Sequence, residues 1–299
     1  MGDIHLFRIQ GATVDEIEGT SVAIEKSLQT QIEKNLEDFL GVRFLASEYA
    51  TGKSHGGRID TLGIDENGCP VIIEYKRSTN QNVINQGLFY LDWLLDHKGE
   101  FELMVLKTLG KDAAVEIEWS TPRMLCIAGD FTKYDEHAVQ QMNRNIELIR
   151  YRRYGDELLL LELVNATTAK TNAVSDKPKE TYKTISDILP QLNDELSDRF
   201  KALEAFLMAL GDDVQMKTLK FYIAFKRIKN FACAEVRPQS GTILVYAKLY
   251  PDKIELQEGF TRDVRKIGHY GTGDVEISIK SDEDFEKAKP LLEKSYDES

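Results

Sequence analysis

The stretch that decides the fold reads Arg58-Ile59-Asp60-Thr61-Leu62-Gly63-Ile64, then Asp65-Glu66-Asn67-Gly68, then Val71-Ile72-Ile73-Glu74-Tyr75-Lys76. Two apolar, β-branched runs flank an Asn-Gly pair, which tolerates the positive φ of a tight hairpin. The expectation is an antiparallel pair of strands. Side chains alternate along a strand, so Glu74 and Lys76 leave one face with the carbonyl of Tyr75 between them, and Arg58 shares a face with Asp60. Two acids and a lysine are thereby set where neighbouring strands can bring them together.

Working outward, residues 21–40 place Ile24, Leu28, Ile32, Leu36, Phe39 and Leu40 at helical spacing, with Glu25, Glu33, Lys34 and Glu37 elsewhere on the wheel and Gly41 as a stop. Residues 42–49 read as a strand and 51–57 as a glycine-rich connection. Downstream, Val83, Ile84, Leu88, Leu91, Trp93, Leu94 and Leu95 make residues 82–96 a packed helix, and residues 101–107 read as a mostly apolar strand. Residues 123–128 read as a buried strand, 134–143 as a helix, and 146–151 and 158–164 as strands around Gly155-Asp156. The fold class that follows is α/β in the broad sense, a mixed sheet flanked by helices.

Phosphodiester hydrolysis needs a metal to polarise the phosphoryl oxygen and lower the pKa of an attacking water, and hard Mg²⁺ takes carboxylate and carbonyl oxygens. Asp60, Glu74 and the Tyr75 carbonyl are groups of that kind. Lys76 can orient the water or offset charge on phosphorus. Asp60, thirteen intervening residues and Glu74-Tyr75-Lys76 closing an apolar strand resemble the D…ExK signature of the PD-(D/E)XK nuclease superfamily. Gln86-Gly87-Leu88-Phe89-Tyr90 resembles the QxxxY motif of its RecB-like branch, and the order helix, three strands, helix, strand matches the superfamily core. Gly57-Arg58-Ile59-Asp60 and Ile73-Glu74-Tyr75-Lys76-Arg77 are also similar to the nuclease half of the NucS-like mismatch endonucleases, over residues 20–165 at most.

The resemblance implies a restriction-endonuclease-like core and a metal-dependent DNA endonuclease of repair or defence. Asp60 and Glu74 would carry Mg²⁺ or Mn²⁺, with Glu33 as the acid of the first helix and Glu25 or Glu37 as alternatives to it. Lys76 would serve the catalytic step, and Gln86 and Tyr90 would organise the site or the DNA. Tyr90 and Trp93 also read as core residues. The rival expectation is a nuclease fold that serves as a binding or interaction module and does not cut.

With 38 basic against 50 acidic residues, the net charge of -12 argues against indiscriminate polyanion binding, so any nucleic-acid contact must be a local patch. Arg58 either touches a phosphate or pairs with a carboxylate, and Arg77 lies next to the motif. Residues 143–154 carry Arg144, Arg150, Arg152 and Arg153, interleaved with Tyr151 and Tyr154. Residues 214–230 carry Lys217, Lys220, Lys226, Arg227 and Lys229 beside Phe221, Tyr222 and Phe225. Each run reads equally as a phosphate track or as a solvated basic face over buried aromatics. Arg262 and Arg265, followed by Gly268-His269-Tyr270-Gly271-Thr272-Gly273, read as a loop, with recognition of a base, nucleic acid or peptide as the sharper alternative.

At 299 residues the chain has length for two domains, expected at 1–165 and 184–299 with a polar linker at 166–183. The second reads as a smaller α+β domain: residues 185–210 helical with a break at Pro190, 214–230 helical, strands at 231–236, 242–250 and 275–279, and a last helix capped by Ser281. Cys69, Cys126 and Cys233 are too few and too far apart for a disulfide framework or a zinc set. No apolar run of membrane-spanning length or export signal is present, so the cytoplasm is the default location and no membrane partner is expected. DNA is the expected partner with RNA as the alternative, and cutting a duplex would make a homodimer reasonable.

Overall fold

The computed structural model describes residues 4–20, 25–52, 56–76, 83–169 and 183–299. The chain divides into two compact units, residues 1–170 and 171–299. The first is built on a seven-stranded mixed sheet in the order β3-β8-β7-β6-β5-β4, with β9 on β8. Its strands are β3 (Gly19–Thr20), β4 (Val42–Ala50), β5 (Arg58–Asp65), β6 (Pro70–Lys76), β7 (Arg123–Ala128), β8 (Asn145–Tyr154) and β9 (Leu158–Thr167). A separate hairpin, β1 (Leu6–Gln10) and β2 (Thr13–Ile17), precedes it.

The Asn67-Gly68 turn behaves as its chemistry requires: Gly68 has φ +76°, Gly68 N–H donates to Asp65 O, and β5 and β6 pair antiparallel. The β6/β7 and β7/β8 ladders are parallel. The two innermost strands, β6 and β7, are buried along nearly their whole length, as in a sheet covered on both sides, and their apolar runs are interrupted only by Glu74, Lys76 and Arg123.

Helix α1 (Glu25–Lys34) and the short α2 (Leu36–Leu40) bury Leu28, Ile32, Leu36 and Leu40. The single helix expected over residues 21–40 is thus interrupted at Asn35, and residues 21–24 lie outside the described residues. Helix α3 (Val83–Asp96) packs Leu91, Trp93 and Leu94 with Leu62 and Ile72, and its first turn joins Met124 and Cys126. A Cβ on Gly87 would come within 2.3 Å of Met124 Sδ, so glycine lets α3 lie close on β7.

Residues 101–107, expected as a strand, lie within helix α4 (Lys98–Leu109), followed by α5 (Lys111–Val115). Phe101 and Val105 are buried while Leu103 and Leu106 are exposed, a helical face that the short apolar run concealed. The strand beside β6 is therefore β7. Helix α6 (Lys133–Gln140) starts from a Thr132–Asp135 capping box.

In the second unit α7 (Ile185–Ile188), a 3₁₀ turn at Leu189–Gln191 holding Pro190, and α8 (Asp194–Met208) precede a six-stranded sheet in the order β10-β11-β12-β13-β15-β14. These are β10 (Gln215–Thr218), β11 (Ile223–Lys226), β12 (Asn230–Arg237), β13 (Thr242–Ala247), β14 (Thr261–Asp263) and β15 (Val275–Ile279), followed by α9 (Asp282–Asp297). Residues 214–230 thus form a hairpin of two strands and not the expected helix: Ile223 and Phe225 alternate into the core, a period of two. Among the described residues no helix is long and apolar enough to cross a membrane.

Candidate functional site

The β5/β6 ladder runs from Ile64↔Pro70 to Thr61↔Ile73 and ends there. Beyond that rung β5 continues with β4, as far as Ala50↔Arg58, and β6 continues with β7, as far as Lys76↔Ala128. The sheet forks. The rung that would have joined Asp60 to Glu74 is replaced by two reciprocal side-chain bonds: Asp60 N–H donates to Glu74 Oε1 at 3.2 Å, and Tyr75 N–H donates to Asp60 Oδ2 at 3.0 Å. Each carboxylate closes the neighbouring strand's backbone, which satisfies the donors that the fork exposes.

The other neighbour of Asp60 is irregular too. The pairs Ser47↔Thr61 and Tyr49↔Ile59 bracket Glu48, which has φ +53° and is the described residue other than glycine with a positive φ. Its carboxylate holds Lys26 at 2.9 Å and Arg58 Nε at 2.7 Å. These cations, Lys26 first, keep its pKa below the usual carboxylate value. Of the two readings for Arg58, the structure displays the carboxylate pairing.

Glu74 is fully buried, and its Oε2 has no hydrogen-bond partner. Burial, and after it the neighbouring Asp60, push its pKa up to about 9, against which the Asp60 N–H and Lys76 pull only partly. A buried carboxylate oxygen without a partner costs free energy. Lys76, two residues along the same face, is partly exposed at the end of β6.

On the opposite face Tyr75 and Thr61 lie together, with hydroxyls 3.4 Å apart. Thr61 Oγ1 donates to Glu33 Oε1 at 2.6 Å, so the structure sets Glu33 across the sheet from the acid pair. Glu37 is exposed on α2, which leaves Glu33 as the described acid of α1 that reaches β5. A residue that sequence reasoning missed ties Glu33 to the backbone of β5: the buried Gln29 donates through Nε2 to Asp60 O at 2.8 Å and to Glu33 Oε1 at 2.9 Å. Its signal was available, since Gln29 stands four residues before Glu33 on the inner side of α1.

Helix α3 secures the start of β5. Arg58 N–H donates to Tyr90 Oη at 3.1 Å, and Gln86 Nε2 lies 3.4 Å from the same oxygen. A Cβ at Gly57 would sit 2.5 Å from the Tyr90 ring, so glycine there makes room for it. Gln86 and Tyr90 are brought together, with Tyr90 buried as a strut.

The other expected nucleic-acid contacts are scattered. Arg150, expected as a phosphate contact, has a side chain only 3% exposed: its Nε–Nη2 edge holds Glu162 of β9 and its Nη1 holds Asp130 in the loop after β7, so the guanidinium is engaged within the unit. Arg153 hydrogen-bonds Gln31 of α1, and Arg152 is partly exposed. Arg77 lies outside the described residues. Lys217 and Lys226 are buried, which breaks up the expected basic face of residues 214–230. No group of three or more His, Cys, Asp or Glu side chains is poised to hold a metal among the described residues. The oxygen donors that do converge are Asp60 and Glu74, and the buried, unpartnered Glu74 Oε2 fits a hard cation.

Three comparisons bear on the chain. Residues 185–299 match the family described as "Domain of unknown function (DUF5655)". A protein of Haemophilus influenzae named "Uncharacterized protein" is 27% identical over 305 residues, covering 97% of this chain and 98% of its own. A solved structure, that of a repair endonuclease from Pyrococcus abyssi, aligns with 17% identity and a TM-score of 0.29 over 43% of this chain and 47% of that one.

Proposed function

We propose that the first unit is a metal-dependent nuclease of the PD-(D/E)XK kind that hydrolyses DNA phosphodiesters. The observation that carries the reading is the fork between β5 and β6. It gathers Asp60 and Glu74 at one open strand end, leaves Glu74 Oε2 buried without a partner, and has Lys76 next on the same face. Asp60, Glu74 and the carbonyl of Tyr75 would hold Mg²⁺ or Mn²⁺. When bound, the cation polarises the phosphoryl oxygen and makes a water nucleophilic near neutral pH. Lys76 orients that water or offsets charge on phosphorus. Gln29 fixes the Asp60 peptide, while Tyr90, steadied by Gln86, fixes the strand entering it. Glu33 acts through Gln29 and Thr61.

A second reading is a nuclease fold that serves as a binding or interaction module and does not cut, and the net charge of -12 together with the internal pairing of Arg150 favours its interaction form over nucleic-acid binding. One assay separates the two. Purified protein is incubated with Mn²⁺ and single-stranded, duplex, mismatched or branched DNA. Wild type is expected to cleave, Glu74→Ala to lose cleavage, and Lys76→Ala to fall about 10²–10³-fold, the scale of one lost electrostatic contact to the transition state. Cleavage unchanged in both variants removes the site assignment. Absence of cleavage with salt-sensitive binding selects the binding module.

A further inference from the structure

In the second unit the helices cover one face of the sheet, where Ile223, Phe225, Phe231, Ile243, Val245 and Ile277 join the core. The opposite face carries one register row across all six strands: Lys217, Ala224, Cys233, Tyr246, Glu276 and Arg262. The loop of residues 264–274 lies over this row. Its base is closed by Val264 N–H donating to Asp274 O at 2.9 Å, and Thr272 N–H reaches Cys233 Sγ at 3.4 Å. Gly271 (φ +77°) and Gly273 (φ +139°) lie so close that a Cβ on either would stand 2.6 Å from Cys233 or from the Tyr246 backbone. The loop is therefore seated closely on the sheet.

What the loop presents is aromatic. His269 stacks on Tyr246 with centroids 4.2 Å apart and planes at 13°, and Tyr270 packs on Phe221 at 4.8 Å and 30°. Tyr270 remains 48% exposed and the adjoining Ile267 44%. Lys220 Nζ stands 5.2 Å from the Phe221 ring centre, and Arg265 and Lys266 are exposed at the loop's shoulder. Of the neighbouring acids, Asp252, Asp263 and Glu276 are engaged by Arg265 or Arg262, and Glu235, which accepts from Tyr246 Oη, is engaged by Arg237, which mutes repulsion of an anion.

We infer that this loop is a stacking platform for unpaired bases of a single-stranded nucleic acid. A backed, immobile ring loses little entropy on stacking, every base offers a π-face, and cations beside the rings suit the connecting phosphates. A peptide would be read through a groove or a free strand edge. The choice of ligand rests on the nuclease reading, while the site itself stands in the other unit and binds without metal.

The test is fluorescence anisotropy of a labelled 20-nucleotide oligothymidylate with the full chain, in EDTA at low salt. Tyr270→Ala is expected to weaken binding at least tenfold and Tyr270→Phe less than twofold, with thermal midpoints close to wild type. His269→Ala should act in the same direction as Tyr270→Ala. A duplex of equal length should bind more weakly than the single strand, because its bases are already stacked. Binding by Tyr270→Ala equal to wild type, no binding by wild type, or binding only of peptides overturns the inference. Cleavage that depends on Lys76 with oligothymidylate binding indifferent to Tyr270 removes this platform alone. Tyr270-dependent binding without any cleavage removes the nuclease reading alone.

Discussion

Strand β5 carries a buried acid cluster at each end, and the two are built on opposite principles. At its end Asp65 meets Arg123, whose Nη1 bonds Asp65 at 2.9 Å while Nε and Nη2 hold Glu147 at 2.7 and 2.8 Å. Asp65 Oδ1 also accepts from the N–H groups of Asn67 and Cys69, which fastens the hairpin turn. Two carboxylates are thus offset from within the chain by one guanidinium in a bidentate geometry. Near its start Asp60 and Glu74 face each other, and Glu74 is left with a buried oxygen and a raised pKa. The first cluster is satisfied by its own chain, whereas the second leaves an acid unpartnered, which is the feature the proposed metal site draws on.

The contrast can be broken most forcefully at Arg123. Arg123→Met leaves Asp65 and Glu147 buried without their cation, and the first unit should lose about 3–5 kcal/mol of stability, read by urea unfolding at neutral pH. A loss under about 1 kcal/mol would mean that the two clusters are not different in kind.

Glu74→Gln should do the reverse in metal-free protein. Because the folded pKa of Glu74, about 9, lies above its ordinary value, the native state holds a proton that the unfolded state has released. Wild-type stability should therefore fall as pH rises through the ordinary carboxylate range toward 9. Glutamine removes that dependence, so the variant's thermal midpoint should exceed wild type at pH 8 by a few degrees and approach it at pH 4, read by calorimetry in EDTA. Mn²⁺ should raise the wild-type midpoint and leave that of the variant unchanged. A variant less stable than wild type at pH 8 would put Glu74 among the structural acids.

The smallest expected effect is at Gln29, which sharpens the boundary between the two kinds. Gln29→Leu removes the bonds from Gln29 to the Asp60 carbonyl, Glu33 and Ser47 and should cost about 1–2 kcal/mol, the scale of lost partly buried hydrogen bonds. If Gln29 positions Asp60, Mn²⁺ affinity measured by titration calorimetry should fall severalfold as well, and Gln29→Glu should not restore it. Stability loss with unchanged metal affinity would make Gln29 a packing residue only.

Much of this was legible in the sequence because it depends on local chemistry. The Asn67-Gly68 turn, the apolar run before Glu74, the break at Pro190 and the Ser281 cap are each decided by residues within a few positions of one another. So was the common face of Glu74 and Lys76, since alternation is a property of any strand. The helix at Phe101 and the strands within residues 214–230 were not, because short apolar runs fit both periods and only packing against a distant sheet selects one. Arg150 looked like surface until Glu162 and Asp130 arrived from other segments. The fork itself belongs wholly to tertiary structure: the sequence determined that Asp60 and Glu74 could face each other, but the ladder ends at Thr61↔Ile73 while β5 goes on with β4 and β6 with β7, pairings made by segments outside the hairpin.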